Sequence, residues 1–216
     1  MKILVVGANG QIGKHLVQSI QASGSHTARA MLRKQEQEAD FKELGAETYI
    51  ADLEGEIDEI TQAADDVDAV VFTAGSGPKT GKDKTIMVDL DGAVKTIEAA
   101  KQAGVKRFVM ISSFDTTRRA IQNAPDSFAP YVIAKHYADE HLRNAGLDYT
   151  MIHPGTLTND AGTGKVHTGT AVDAADVPRE DIANVILESL KNDASIGKEF
   201  KVIGGQTPIQ DSLQQL

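Results

Sequence analysis

The sequence reads as an α/β protein built on a doubly wound parallel sheet with helices on both faces, and three observations predict it. Short apolar runs alternate with longer amphipathic or charged segments along almost the whole chain, a strand period alternating with a helix period. The connections between them are short, as in strand-helix-strand units of parallel sheets. The opening run, Ile3 to Val6, breaks into glycines three apart, Gly7, Gly10 and Gly13, and passes directly into a helical pattern.

After those glycines Ile12, Leu16, Val17 and Ile20 recur on one helical face, and Ser23-Gly24 ends that helix. A second strand is predicted at about Thr27 to Leu32, a charged helix-favouring segment from Lys34 to Leu44, and a third strand near Glu47 to Ala51. Next come a short helix over Glu56 to Ala64, a fourth strand over Ala69 to Thr73, a long helix over Thr85 to Ala103 and a fifth strand over Arg107 to Ser112. In the long helix Met87, Leu90, Val94 and Ile97 make one apolar stripe, expected to pack on the sheet. A helix around Pro130 to Asn144 leads to a sixth strand, Asp148 to His153.

From Pro154 to Val172 the periodicity stops, and a concentration of glycine and threonine predicts a mobile loop or a small hairpin. Ile182, Val185, Ile186 and Leu190 mark a further amphipathic helix before a last strand near Phe200 to Ile203 and a short tail. The expectation is one domain over 1–216, with 154–216 contributing the substrate-side loop, a helix and the last strand. Ligands should bind in the loops that leave the carboxyl ends of the strands.

Composition narrows the partners. Lysine plus arginine against aspartate plus glutamate gives 22 − 31 = −9, spread without an acidic block. A nucleic-acid-binding surface is not expected, and any anion must be caught locally. Cysteine is absent, which excludes disulfides, thiolate zinc and a thiol nucleophile. No apolar run reaches the roughly 18 residues of a membrane span, so no membrane partner and a cytoplasmic location are expected. The histidines His15, His26, His136, His141, His153 and His167 show no i, i+4 pair, so no metal is expected.

The opening loop carries the first chemistry. Glycines let the backbone turn sharply and approach a pyrophosphate, and the helix that follows aims unpaired N–H groups at the anion. The spacing is G-x-x-G-x-x-G, a departure from the commoner G-x-G-x-x-G. In a nicotinamide-binding unit the residue about 20 positions past the last glycine meets the adenosine ribose; an acid suits a 2′-hydroxyl and a cation a 2′-phosphate. Arg33 stands there, followed by Lys34, with no acid between Ala28 and Gln35. NADP(H) is therefore expected over NAD(H), although the pair also reads as ordinary surface charge at a strand end.

Asp52 and Leu53 after the third strand offer an acceptor and an apolar rest for an adenine, or, for Asp52, a helix cap. Ala74-Gly75 after the fourth strand leaves an edge nearly free of side chains along which a cofactor can run. Tyr131 and Lys135, four apart, share a helix face. An ammonium beside a phenol favours the phenolate and suits it to proton transfer. Ser112-Ser113 ends the fifth strand at the same sheet edge and offers a hydroxyl to a substrate carbonyl. The stretch Gly75 to Lys82 imitates a phosphate-binding loop, but Asp83 stands where such a loop needs Ser or Thr, so an NTPase is not expected.

In this order the glycine loop, Arg33, Asp52-Leu53, Ala74-Gly75, Ile111-Ser112-Ser113, Tyr131-Val132-Ile133-Ala134-Lys135 and His153-Pro154-Gly155 resemble the short-chain dehydrogenase/reductase superfamily. The closest resemblance is to its atypical, NmrA-like or epimerase-like NAD(P)-binding members, and it covers almost the entire chain. It implies a Rossmann fold with the pyrophosphate on Gly7, Ala8, Asn9, Gly10, Gln11, Ile12 and Gly13. It implies Tyr131 as proton donor or acceptor, Lys135 on the nicotinamide ribose, and Ser113 or Ser112, with Ser113 preferred, polarising the substrate oxygen. Pro154, Gly155, Thr156 and Leu157 would line the nicotinamide.

His153 stands where related proteins often have Arg before Pro-Gly. The 63 residues beyond it are too few for a large substrate lobe, which implies a small-molecule substrate met by Phe114, Arg118, Arg119 and Phe128 in the loop before the helix of Tyr131, by the flexible 156–172 segment and by His153. The expected activity is an NADP(H)-dependent oxidoreductase acting on a small carbonyl compound. A non-catalytic redox sensor and an epimerase or dehydratase without net redox change are the alternatives, and the oligomeric state is left open.

Overall fold

The computed structural model describes residues 1–77 and 79–216; Pro78, within the stretch that imitates a phosphate loop, lies outside the described residues. The strands are β1 (Lys2–Val6), β2 (Thr27–Leu32), β3 (Glu47–Ile50), β4 (Ala69–Phe72), β5 (Arg107–Ile111), β6 (Asp148–Pro154), β7 (Thr156–Thr158), β8 (Lys165–Gly169), β9 (Asp176–Pro178), β10 (Lys198–Gly204) and β11 (Thr207–Pro208). The helices are α1 (Gln11–Ala22), α2 (Glu38–Glu43), α3 (Ile57–Ala63), α4 (Lys82–Lys84), α5 (Gly92–Gln102), α6 (Arg118–Asn123), α7 (Ala129–Arg143), α8 (Arg179–Lys191) and α9 (Ile209–Leu213). A π-helical segment, Thr85–Asp91, joins α4 to α5.

The central sheet runs β11-β8-β10-β6-β5-β4-β1-β2-β3. Strands β1 to β6 and β10 pair parallel, and β8 adds antiparallel to β10 and β11. This is a Rossmann-like fold. The order reverses between β1 and β4, so the loops after β1 and β4 diverge and open the crevice where such sheets bind ligands.

Alternate residues of each strand feed two cores. Ile3, Val5, Val71, Val109 and Ile111 pack with Ile12, Leu16 and Ile20 of α1 and with Ile182, Val185 and Ile186 of α8. Leu4, Val6, Val70, Phe72, Phe108 and Met110 pack with Ile60 of α3, Ala93 and Ile97 of α5, and Ala138 and Leu142 of α7. Burial of each large side chain contributes about 1.5–3 kcal/mol. Among the described residues no helix is long and apolar enough to cross a membrane.

Three expectations need correction. The apolar stripe Met87, Leu90, Val94, Ile97 forms the buried face only in part: Ile97 is buried and Leu90 packs on the core, but Met87 is 37% exposed and Asp89, Ala93 and Thr96 are the buried neighbours. A π-helix closes i→i+5 bonds and so rotates the face out of the 3.6-residue phase. The stretch from Pro154 to Val172 is not a loop or a self-contained hairpin, because β7 pairs with β9 and β8 pairs with β10; its strands find partners outside the window. Arg118 and Arg119 lie in the helix α6, started by the Thr117 side chain accepting from Ala120 N at 3.1 Å.

The glycine loop is where the fold is least tolerant. Gly7 takes φ +85°, and a Cβ there would lie 2.6 Å from Ala74 N; a Cβ on Gly13 would lie 2.3 Å from Gly7 O and 2.7 Å from Ala8 Cα. Every clashing atom at Gly13 belongs to the Gly7-Ala8 turn. Gly13→Ala should therefore destabilise the protein by about 1–3 kcal/mol or more despite its better helix propensity, read as a shift of the urea unfolding midpoint.

Candidate active site

The β1–α1 turn fixes the first part of the site. Gly10 N donates to Gly7 O at 2.9 Å, and Gly10 caps α1 without a side chain, so the helix N-terminus faces the crevice bare. A cavity of about 350 Å³ begins here, lined by Gly7, Asn9 and Gly10, by Arg33 and Gln37, by Asp52 and Leu53, and by Gly75, Ser76 and Val88. Arg33 reaches it with no carboxylate partner among the described residues. Lys34 does not line it: its ammonium lies 3.5 Å from Glu36. Asp52 lines it but caps no helix, since its Oδ1 accepts from Glu54 N at 3.0 Å in a local turn.

The second part is organised by α7. Residues four apart form a ridge along a helix, and here the ridge is polar: Tyr131, Lys135, Asp139 and Arg143. Lys135 Nζ lies 3.5 Å from Asp89 Oδ1, at exposures of 4% and 1%. The π-helical segment brings Asp89 there, and its other oxygen accepts from Ser76 N at 3.0 Å and Ser76 Oγ at 2.7 Å. Asp89 Oδ1 makes no hydrogen bond to any described residue, so one acceptor beside the ammonium keeps capacity for a ligand hydroxyl. Lys135 Nζ is 5.8 Å from the Tyr131 ring centroid and 5.7 Å from that of Phe72.

Asp139 is the next step of the ridge. It receives Ser112 Oγ at 2.7 Å and Thr116 Oγ1 at 2.6 Å, and burial raises its pKa against the pull of His153, Thr116 and Ser112. Arg143 closes the ridge on Glu199 of β10, with Nε at 3.0 Å from Oε2 and Nη2 on Oε1. His153 of β6 lies between them, Nδ1 2.5 Å from Ser113 O and Nε2 2.9 Å from Glu199 Oε1. Asp139, His153 and Glu199 thus bring titratable atoms within 4.8 Å of one another, a cluster that histidine spacing alone does not reveal. A second cavity, about 570 Å³, opens onto this network and is lined by Phe114, Thr117, Arg118, His136, Arg143 and Lys201 among others.

The expected residues are therefore placed unevenly. Ser112 is committed to Asp139, whereas Ser113 is half-buried and its hydroxyl bonds to no described residue. Phe114 and Arg118 line the larger cavity; Phe128 is 49% exposed and stacks 5.2 Å from Tyr131; Arg119 lines neither cavity. His153 borders the larger cavity but is 5% exposed, with both ring nitrogens engaged by the protein. Pro154 and Gly155 are packed, and a Cβ on Gly155 would meet Ala175 O at 2.0 Å. Thr156 is exposed, and Leu157 packs partly against the core. Sequence reading missed Asp89, Thr116, Asp139, Arg143 and Glu199. Continuing the four-residue step from Tyr131 and Lys135 finds Asp139 and Arg143; nothing local marks Glu199.

A family model described as NAD(P)H-binding matches residues 7–193. A Bacillus subtilis protein described as an uncharacterized sugar epimerase is 46% identical over 216 residues, covering 100% of both chains. The solved structure of a putative NAD-dependent epimerase/dehydratase from Bacillus halodurans is similar with a TM-score of 0.93 and 42% identity over 100% of both chains. An oxidoreductase from Lactococcus lactis is similar with a TM-score of 0.88 and 32% identity, over 100% of this chain and 96% of that one.

Removing one member of a buried ion pair strands the other charge and costs about 3–5 kcal/mol. Asp89→Ala should lose stability on that scale in chemical denaturation, and adding Lys135→Met should recover part of the loss.

Proposed function

The chain belongs to the NAD(P)H-binding family, and from that premise we propose that it is an NADP(H)-dependent oxidoreductase of the atypical short-chain dehydrogenase/reductase type, acting on a small carbonyl compound. The observation that carries this reading is the ridge of α7 that holds Tyr131 and Lys135, with Lys135 Nζ 3.5 Å from Ile111 O at the end of β5, two residues before Ser113. The residues present fit a dinucleotide. Gly7 and Gly10 line the crevice at the N-terminus of α1 without side chains, the orphaned oxygen of Asp89 sits beside Lys135, and Arg33 lines the crevice where a ribose phosphate calls for a cation.

When bound, the nicotinamide supplies or takes the hydride. Tyr131 gives or takes the proton at its hydroxyl, which bonds to no described residue. Ser113 donates its hydroxyl to the substrate oxygen, since Ser112 is held by Asp139. Lys135, fixed by Asp89, is the cation that faces the ribose hydroxyls and the phenol. Phe114 and Arg118 border the substrate.

The second reading is an epimerase or dehydratase, favoured by the descriptions of the Bacillus subtilis and Bacillus halodurans proteins. It differs in one observable: the absorbance of the reduced nicotinamide does not change over the reaction. Steady oxidation of NADPH by a panel of aldehydes, ketones and quinones supports the oxidoreductase; conversion of a sugar without net oxidation supports the epimerase.

Tyr131→Phe should lower turnover by about 10²–10⁴-fold, the usual worth of a positioned proton donor, and turnover within a few-fold of wild type would refute the role. Arg33→Asp should weaken NADPH binding by roughly tenfold to a hundredfold and leave NADH little affected, as measured by calorimetry. Equal losses for both would refute the 2′-phosphate contact.

A further inference from the structure

The ring of His153 meets an acceptor at each nitrogen. Ser113 O, 2.5 Å from Nδ1, is a carbonyl with no hydrogen to give, and Glu199 Oε1 lies 2.9 Å from Nε2. Glu199 is ionised in this setting, since the Arg143 guanidinium grips both of its oxygens. A neutral imidazole carries a single N–H and can serve only one of these acceptors; an imidazolium serves both.

We propose that His153 works as a charged positioning residue: as imidazolium it clamps the Ser113 carbonyl to the Glu199–Arg143 pair, and its deprotonation at alkaline pH releases the exit of β5. The clamp joins four elements in one line, from β5 through β6 and β10 to α7, and so ties Ser113 to the ridge that carries Tyr131 and Lys135. His153 thereby supplies a titratable cation where an arginine would be charged at every pH.

The surrounding charges favour the protonated ring. From α7 it is faced by Asp139 and Arg143, from β10 by Glu199, and from the loop after β5 by Asp115, itself near Lys201. Burial opposes the charge, but the bond to Glu199, the charge of Asp139 and the bond to Ser113 outweigh it and raise the His153 pKa. Glu199 is correspondingly held down to about 2, first by its bond from His153 and against its burial. The stability that the clamp contributes is thus full below the ordinary histidine value and is lost as pH rises through the raised one. The larger cavity borders His153, Glu199 and Arg143, which gives the proton a route that does not require unfolding.

The consequence for turnover rests on the proposed role of Ser113, whereas the protonation state does not, so the two fail separately. The test is nitrogen-detected NMR of the histidine rings of the whole chain from about pH 6 to pH 10. Expected are two protonated ring nitrogens on His153 at neutral pH, a midpoint above the ordinary value, and amide shifts of Ser113 and Phe114 that follow the same midpoint. Glu199→Gln should lower that midpoint by about one unit or more. His153→Gln should abolish the pH dependence of the two amides, and His153→Arg should hold them at their neutral-pH positions in alkali. A neutral His153 ring at pH 7, or amides of Ser113 and Phe114 that ignore its titration, would overturn the proposal. If the arginine variant fails to fold, the wild-type and Glu199→Gln titrations decide. Clamp behaviour without any NADPH turnover would sink the oxidoreductase reading alone.

Discussion

The constraint on which the rest of this structure depends is a polar ridge on α7 whose two middle members, Lys135 and Asp139, are buried. Tyr131, Lys135, Asp139 and Arg143 follow one another every four residues on the face of α7 that an ordinary Rossmann helix fills with aliphatic side chains. A buried charge without a partner costs several kcal/mol, so each member of the ridge dictates what another element must bring. Asp89 answers Lys135, Ser112 and Thr116 answer Asp139, and Glu199 with His153 answers Arg143.

Those demands explain features that otherwise look arbitrary. The helix before β5 is π-wound over Thr85–Asp91, the segment that delivers Asp89 to Lys135, and the shift in phase leaves Ile86 and Met87 facing outward. β10 pairs parallel beside β6 with Lys201 opposite His153, a register that sets Glu199 against Arg143 and the His153 ring. The loop after β5 folds back so that Thr116 caps Asp139 with its hydroxyl and accepts from His136 with its carbonyl at 2.7 Å. Ser112 is spent on this network, and Ser113 keeps its hydroxyl free of it. Asp89 links the crevice to the ridge, bonding Ser76 on the crevice wall and pairing with Lys135.

Much of this was legible in the sequence wherever a local pattern carries the information. The strands β1 to β6, the glycine loop, Arg33 at the end of β2 and the shared face of Tyr131 and Lys135 follow from periods of two and 3.6 and from backbone freedom at glycine. The apolar stripe held at Leu90 and Ile97 but not at Met87, because a π-wound segment breaks the period on which a stripe depends. β7, β8, β9 and β11 were not legible because they are held by partners far along the chain, with only Val166 of β8 and Val177 of β9 buried in the core. Glu199 could not be read as a site residue, since a glutamate at a strand start is ordinarily solvated.

By itself, then, the sequence determined the alternation of strand and helix, the glycine turn after β1, the cation Arg33 at the end of β2 and the spacing of the phenol and ammonium. Each is carried by local periodicity or, for Arg33, by an offset of 33 − 13 = 20 residues within one strand-helix-strand unit. Only the tertiary structure decided which serine is free, that Lys135 is held by Asp89, and that His153 lies between a carbonyl and a carboxylate. Those are pairings of polar and charged groups across 27 to 46 residues of chain, and where one group finds its partner is set by how the elements pack.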